Sequence, residues 1–221
     1  MNPNKNSVLK RVYFVRHGET AGNAAGRSQT SDIPLSERGK KQAQFVAERF
    51  TRIGIDKIFA SPYTRAKETA ETIGNKIGKK IVFDELLREI KRPSEIIGKS
   101  HYEEEYHRII GEVEKRELSP GDRYQDEETL FEMEIRARAV LDMLLRDNKK
   151  DILVVSHDVF LKMVLAAMMI SDARLCVEVF REMRYFMTLN NTSITMAAYC
   201  EEPRGGLRWR LRTWNDQAHL G

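Results

Sequence analysis

Residues 12–20, VYFVRHGET, decide the fold of this 221-residue chain. The first four are β-branched or aromatic, which predicts a short buried strand. The strand stops at Arg16, His17 and Gly18, so polar groups follow it directly. Sheets of α/β proteins hold their sites at the carboxyl ends of strands. The stretch therefore predicts an α/β protein with a site at the end of its first strand.

Strand and helix patterns alternate from this stretch towards the C-terminus. Ser36 precedes apolar residues at helical spacing and is expected to cap a helix that starts at Glu37. Gly78 is expected to end a later helix. The patterns predict helices over 37–53, 63–77, 127–147 and 158–170, and strands over 57–61, 80–83, 151–156, 187–199 and 207–213. Such alternation is typical of the α/β class.

The pattern weakens over residues 88–126. Pro93 and Pro120 interrupt this segment, and acidic and aromatic residues cluster at 102–106. We expect an irregular insertion that acts as a lid, within a single domain spanning residues 1–221.

Charge and cysteine content argue against several classes of protein. The chain has 37 Lys and Arg against 33 Asp and Glu, with the two signs interspersed, so no nucleic-acid-binding stripe is expected. Cys176 and Cys200 have no neighbour at metal-ligand spacing and are expected to be reduced thiols. The most apolar run, 159–170, contains Lys162 and is too short to span a bilayer. We expect a cytoplasmic protein that binds neither nucleic acid nor membranes.

The turn after the first strand carries groups that suit phosphate chemistry. Arg16 offers paired planar donors for phosphoryl oxygens, and Gly18 lets backbone amides approach them. Neutral His17 is a nucleophile near neutral pH, and Asn23 adds an amide. A basic loop with one hydrogen-bonded histidine is the alternative interpretation of these residues taken alone.

Further motifs resemble those of the histidine phosphatase superfamily, also called phosphoglycerate mutase-like. The resemblance extends from Val12 to the C-terminus and rests on several blocks in family order. These are Arg16-His17-Gly18, residues 34–39 (PLSERG), 61–66 (SPYTRA) with Thr69-Ala70, 155–157 (VSH) and 215–220 (NDQAHL). The resemblance implies a three-layer α/β/α sandwich with a mostly parallel central sheet, in which two histidines lie at adjacent strand ends.

The same resemblance implies roles for individual residues. His17 matches the nucleophile that accepts the phosphoryl group, and no metal or other cofactor is implied. The remaining matches are Arg16, Arg65 and His157 in the phosphate-binding pocket, and Thr20 and Asn23 as further polar contacts to the phosphoryl group or substrate. Clustered, fixed donors of this kind are what phosphoryl transfer requires of a protein. The implied partner is a small phosphorylated substrate.

An acid that protonates the leaving oxygen, and later acts as a base towards water, has two candidates. Glu89 opens the insertion where the mutase-like branch keeps its acid, although residues 91–95 depart from the continuation common there. Asp158 directly follows His157, and a His-Asp pair at this place resembles the acid phosphatase branch, whose proton donor is that Asp. The mutase-type motif after His17 favours Glu89, and Asp158 is then expected to cap the next helix beside the substrate.

Three functions remain open at this stage. Hydrolysis of a phosphate monoester through a phosphohistidine on His17 is favoured. Phosphoglycerate mutase activity is the alternative within the family, and a non-catalytic phosphoryl-binding protein is the alternative from another class. The irregular stretch that begins at Lys91 and Arg92 is expected to shape substrate choice. The identity of the substrate and the oligomeric state do not follow from the sequence.

Overall fold

A six-stranded sheet forms the centre of the computed structural model, which describes residues 7–203 and 205–221. The strands are β1 (Val8–Arg16), β2 (Lys57–Ala60), β3 (Ile81–Phe83), β4 (Asp151–Ser156), β5 (Ile194–Glu201) and β6 (Leu207–Asp216). They are ordered β3-β2-β4-β1-β5-β6. The first four strands in this order run parallel, whereas β5 is antiparallel to β1 and to β6. The predicted α/β class with a mostly parallel sheet is confirmed.

Helices cover both faces of the sheet. They are α1 (Ala21–Ala24), α2 (Glu37–Phe50), α3 (Thr64–Ile77), α4 (Glu104–Glu114), α5 (Leu130–Arg146), α6 (Asp158–Met169) and α7 (Ala173–Phe186). Because successive side chains of a strand point to opposite faces, Phe14 and Val154 pack in a core with α5, α6 and α7. Val15 and Val155 pack in a second core with α2 and α3. The layers of the predicted sandwich therefore enclose two separate cores.

Local capping explains where the helices begin. The Ser36 hydroxyl accepts a hydrogen bond from the Gly39 amide at 3.0 Å, so α2 starts at Glu37 as predicted. The helix predicted from residue 127 begins at Leu130 instead. Thr129 and Glu132 form a reciprocal capping box that fixes this start.

Two parts of the structure differ from the patterns. The strand predicted over 187–199 begins only at Ile194, because a turn precedes it in which Thr192 has a φ of 57°. The segment 171–186, for which no element was predicted, contains α7. The predicted insertion, 88–126, holds α4 and a short 3₁₀ helix (Ser94–Ile96) joined by loops.

No helix within the described residues is long and apolar enough to cross a membrane.

Candidate active site

Two histidines meet where the neighbouring strands β1 and β4 end. The strands are parallel and in register, with Arg16 opposite Ser156, so the residues that follow leave the sheet side by side. These are His17 and His157, whose ring centroids lie 5.1 Å apart. Both side chains are buried. The sheet topology thus brings together residues that are 140 positions apart in the chain.

The contacts of His17 fix which ring nitrogen carries the proton. Nδ1 lies 2.7 Å from the carbonyl oxygen of Gly18, which can only accept. Nε2 accepts a hydrogen bond from Arg65 Nε at 3.2 Å, and a guanidinium can only donate. The neutral ring is therefore protonated on Nδ1 and has its lone pair on Nε2.

Burial and positive charge keep these imidazoles neutral. Burial lowers the pKa of His17 well below its usual range, and the guanidinium groups of Arg65 and Arg16 lower it further. The pKa of His157 is lowered well below the usual range for the same reasons, first by burial and then by Arg65. Neutral imidazole is the form that can act as a nucleophile.

The two site arginines are held by backbone carbonyls. Arg65, near the start of α3, donates from Nη1 to Thr30 O at 2.9 Å. Burial lowers the pKa of Arg65, and the nearby charge of Glu89 opposes that shift. Arg16 donates from Nη1 to Leu189 O at 2.5 Å. Neither arginine forms an ion pair with an acidic side chain in the described part of the chain.

Two buried nitrogen atoms at the site lack a hydrogen-bond partner among the described residues. They are Arg16 Nε and His157 Nδ1. The other ring nitrogen of His157 contacts the Ser61 hydroxyl at 2.8 Å. Buried donors without partners are rare in folded proteins and are common where a ligand supplies the acceptor. The arrangement suits an anion with several oxygens.

A pocket of about 650 Å³ opens in front of His17. Most of the residues that the sequence pointed to lie on its wall: Arg16, His17, Asn23, Arg65, Glu89, Lys91, Arg92 and Asp158. The insertion segment, residues 88–126, supplies Glu89, Lys91 and Arg92 of this wall together with His101 and Tyr106. This segment is joined to the loop after α1 through backbone hydrogen bonds, including His101 N to Gly26 O at 2.7 Å.

Among the matched residues, His157 and Thr20 are fully buried and do not line the pocket, and the Thr20 side chain instead holds the loop. Its hydroxyl donates to Gln29 Oε1 at 2.6 Å and accepts from the Asn23 amide at 3.0 Å. Asn23 Oδ1 accepts in return from the Thr20 amide at 3.2 Å. This pair forms the capping box of α1 and orients Asn23.

Close packing also explains the glycines next to the site. A Cβ atom on Gly39, in the first turn of α2, would lie 2.0 Å from the carbonyl oxygen of Glu19. One on Gly18 would lie 2.7 Å from the carbonyl oxygen of Gly39. Only glycine permits this approach, which fixes the loop after His17 against α2.

The two candidate acids have different surroundings. Glu89 accepts hydrogen bonds from three backbone amides, those of Ile90 at 3.0 Å, Phe160 at 2.9 Å and Val159 at 3.2 Å. Two of these amides belong to the first turn of α6, a favourable place for negative charge.

Asp158 lies at the first position of α6 and is 28% exposed. Its Oδ1 is 3.0 Å from Lys162 Nζ, in an ion pair without hydrogen-bond geometry. Lys162 donates instead to the Arg184 carbonyl at 3.1 Å. Asp158 therefore has a cation in an ion pair, whereas the hydrogen-bond donors to Glu89 are neutral amides and the cation near Glu89 is Arg65.

Three residues at the site were not assigned a role from sequence. Ser61 and Tyr63 belong to a recognised motif and contact His157, Tyr63 by an edge-on ring contact of 5.2 Å. Asn191 donates to the carbonyl oxygen of His17 at 2.9 Å and lines the pocket. No sequence pattern pointed to Asn191, which falls inside the strand predicted over 187–199.

The described residues contain no cluster of three or more His, Cys, Asp or Glu side chains that could hold a metal ion. The charged groups nearest to His17 Nε2 are cations. The donor set at the site therefore suits a phosphoryl group rather than a metal.

The comparisons with known proteins point to one family. The family model of the histidine phosphatase superfamily (branch 1) matches residues 12–217. The chain is 34% identical over 219 residues to a protein of Enterobacter sp. (strain 638) called "Probable phosphoglycerate mutase GpmB". That match covers 96% of this chain and 95% of the relative.

Solved structures share the same fold. A phosphoserine phosphatase from Entamoeba histolytica, solved with 3-phosphoglyceric acid, superposes with a TM-score of 0.74 at 26% identity. The superposition covers 96% of this chain and 100% of that one. A mycobacterial glucosyl-3-phosphoglycerate phosphatase superposes with a TM-score of 0.75 at 23% identity, over 94% of this chain and 100% of the other.

Proposed function

The chain belongs to branch 1 of the histidine phosphatase superfamily, and on that basis we propose that it hydrolyses a small phosphate monoester through a phosphohistidine on His17. The observation that carries the proposal is the Nε2 lone pair of a neutral, buried His17. This nitrogen accepts a hydrogen bond from Arg65, and the His17 side chain lines the pocket.

The first step transfers the phosphoryl group to the protein. His17 Nε2 attacks phosphorus while the bond from phosphorus to the ester oxygen breaks. The leaving oxygen takes a proton from the Glu89 carboxyl group and departs as an alcohol. Arg16, Arg65 and His157 donate to the phosphoryl oxygens and stabilise the charge of the transition state.

The second step returns the protein to its starting state. Water attacks the phosphohistidine and gives a proton to the Glu89 carboxylate. The bond between phosphorus and Nε2 breaks, its electron pair returns to His17, and inorganic phosphate is released. No metal has a role in either step, because the site cations already match the anionic substrate.

Glu89 is the proposed acid and base, in preference to Asp158. Glu89 lines the pocket and its charge acts on Arg65, which supports this choice. Asp158 has the ammonium of Lys162 beside it and is proposed as a contact for the leaving group rather than a proton donor.

Phosphoglycerate mutase activity is the second candidate, because the curated relative from Enterobacter carries that name with the word probable. A mutase would pass the phosphoryl group of His17 to a second hydroxyl instead of water. Arg92 lines the pocket, and the described residues include no ion-pair partner for it, which would suit the carboxylate of a phosphoglycerate. A purely phosphoryl-binding protein is the third candidate and would make no use of a nucleophile.

Turnover of small phosphoesters in EDTA separates these functions. Purified wild type and the matched variant His17→Ala would be assayed with p-nitrophenyl phosphate and a panel of sugar phosphates, phosphoglycerates and phosphoserine. A coupled assay with 3-phosphoglycerate and a bisphosphate primer would run in parallel. We expect phosphate release by wild type only.

Each other outcome overturns the proposal in a different way. Isomerisation of phosphoglycerate that exceeds phosphate release would establish the mutase. Binding of phosphoesters without any release or isomerisation would establish the binding protein. Release that survives in His17→Ala would remove His17 from the mechanism.

The proposed cytoplasmic location is supported by the unpaired, buried Cys176 and Cys200.

A further inference from the structure

We propose that Arg136 is a positioning residue for the Glu89 acid, acting through the backbone on both sides of it and through Phe160. The inference rests on the proposed function, in which Glu89 transfers the proton. Arg136 lies on α5 and is 6% exposed, so it is one of the few buried arginines of the described chain. It does not line the pocket in front of His17.

The donors of Arg136 are directed at the loop that carries Glu89. Nη1 donates to two carbonyl oxygens, those of Leu86 and Arg88, each at 2.8 Å. Arg88 directly precedes Glu89 in the chain. A planar guanidinium that bridges two carbonyls sets the direction of the chain just before the acid.

The remaining donors of Arg136 secure the chain after Glu89. Nε and Nη2 form a bidentate pair with the buried Glu128, each at 2.7 Å. Glu128 is in turn tied to Lys91, since its amide donates to Lys91 O at 3.0 Å and its carboxylate accepts from Lys91 N at 3.4 Å. The Arg136–Glu128 pair thus holds the backbone on both flanks of Glu89.

Arg136 also contacts Phe160, whose backbone amide binds the Glu89 carboxylate. Its guanidinium carbon lies 4.0 Å from the ring centroid of Phe160, in a cation–π contact. The amide of Phe160 donates to Glu89 Oε1. One side chain therefore fixes both the loop that presents the carboxylate and the helix turn that binds it.

General stability does not explain this pair. A buried ion pair contributes little compared with apolar residues of the same volume, because desolvation offsets the attraction. Within the described residues, the other hydrogen bonds of Arg136 and Glu128 and the cation–π contact of Arg136 go to segments that position Glu89. We therefore assign to the Arg136–Glu128 pair the role of holding Glu89 in position.

The leaving group of the substrate provides the test. A p-nitrophenolate ion leaves without a proton, whereas an alkoxide needs the acid. Arg136→Lys keeps the charge but cannot bridge two carbonyls and Glu128 together. We expect kcat/KM for the best alkyl phosphate to fall at least about 10-fold more than kcat/KM for p-nitrophenyl phosphate.

Two variants make this result specific. Glu89→Gln should show the same dependence on the leaving group, and adding Arg136→Lys to it should not increase that dependence. Arg138→Lys is the matched control, since Arg138 lies on the same helix and binds Glu134 and the Ile170 carbonyl. It should leave the ratio of the two substrates unchanged. Equal losses on both substrates in Arg136→Lys would overturn the proposal.

A second measurement works without turnover. Hydrogen exchange of the Phe160 amide reports its bond to Glu89. We expect Arg136→Lys to increase exchange at Phe160 as much as Glu89→Gln does, while Arg138→Lys does not. Unchanged protection at Phe160 in Arg136→Lys would refute the positioning role. If wild type hydrolyses no phosphoester, the proposed function fails, and this exchange result still decides the role of Arg136.

Discussion

The strand ends and the insertion segment form two walls of one pocket but use their charges differently. At the strand ends, Arg16 and Arg65 bind backbone carbonyls, so their charge is not cancelled by an acid. In the insertion segment, the pocket-lining Lys91 pairs with Asp126 of the same segment at 3.0 Å, and Lys99, which does not line the pocket, pairs with Glu105 at 2.6 Å. The first wall is prepared for an anion, whereas the second is largely neutralised.

From this difference we expect each wall to recognise a different part of a substrate. Every substrate of such an enzyme has the phosphoryl group in common, and the uncompensated donors at the strand ends would bind it. The leaving group varies, and the insertion segment faces it. Arg92 is the exception in this segment, because it lines the pocket and forms no ion pair within the described residues.

Arg65→Lys should have the largest effect. Lysine keeps the charge but loses the planar donors that face His17 and Thr30. We expect kcat/KM to fall by about 10² or more for every substrate in the panel, because the phosphoryl group is common to all. Steady-state kinetics check this. A fall confined to some substrates would break the distinction between the two walls.

The buried histidines should make the protein sensitive to mild acid. Since burial holds the pKa of His17 and of His157 well below the usual range, the unfolded chain takes up protons first as the pH falls. The contribution of these two neutral histidines to the free energy of unfolding is present above the pKa of an unfolded histidine, about 6.5, and is lost progressively as the pH falls below it. Between about pH 7.5 and 5.5 the free energy of unfolding should fall by on the order of 2 kcal/mol.

Urea denaturation at the two pH values measures this change. His157→Gln removes one of the two strand-end histidines and should reduce the pH dependence by up to about half, since His101 and His219, whose pKa values burial also lowers, still titrate. An unfolding free energy that stays constant over this range would show that the strand-end histidines are not held neutral by the fold.

Arg92→Ala should have the smallest effect and a selective one. Its charge lies on the leaving-group wall, so we expect several-fold changes in relative kcat/KM between anionic and neutral leaving groups. The rate with p-nitrophenyl phosphate should stay within about 2-fold of wild type, as expected for one partly exposed charge. Unchanged ratios across the panel would show that the insertion segment does not select substrates.

The sequence predicted the strand ends well because their signals are local. The apolar run before Arg16 and the run before His157 each specify a strand, and parallel pairing then brings the two histidines together. Capping by Ser36 was equally local.

Other features depend on contacts that are distant in the chain. Thr192 has a left-handed φ, unusual for a β-branched residue, and its amide donates to Arg16 O at 2.9 Å. No local pattern indicates this turn, which places Asn191 at the site. No sequence pattern singled out Arg136, which the fold buries against Glu128. Helix α7 was different, because its apolar positions 176, 177, 180 and 183 do follow helical spacing.

The proposed phosphohistidine can be detected directly. Wild type would be mixed with a ³²P-labelled phosphoester in EDTA, quenched in alkaline denaturant within the first turnover, digested and mapped. We expect label on the peptide that contains His17, at a level approaching one phosphoryl group per molecule, and none in His17→Ala. Turnover without protein-bound label, or label on another residue, would contradict it.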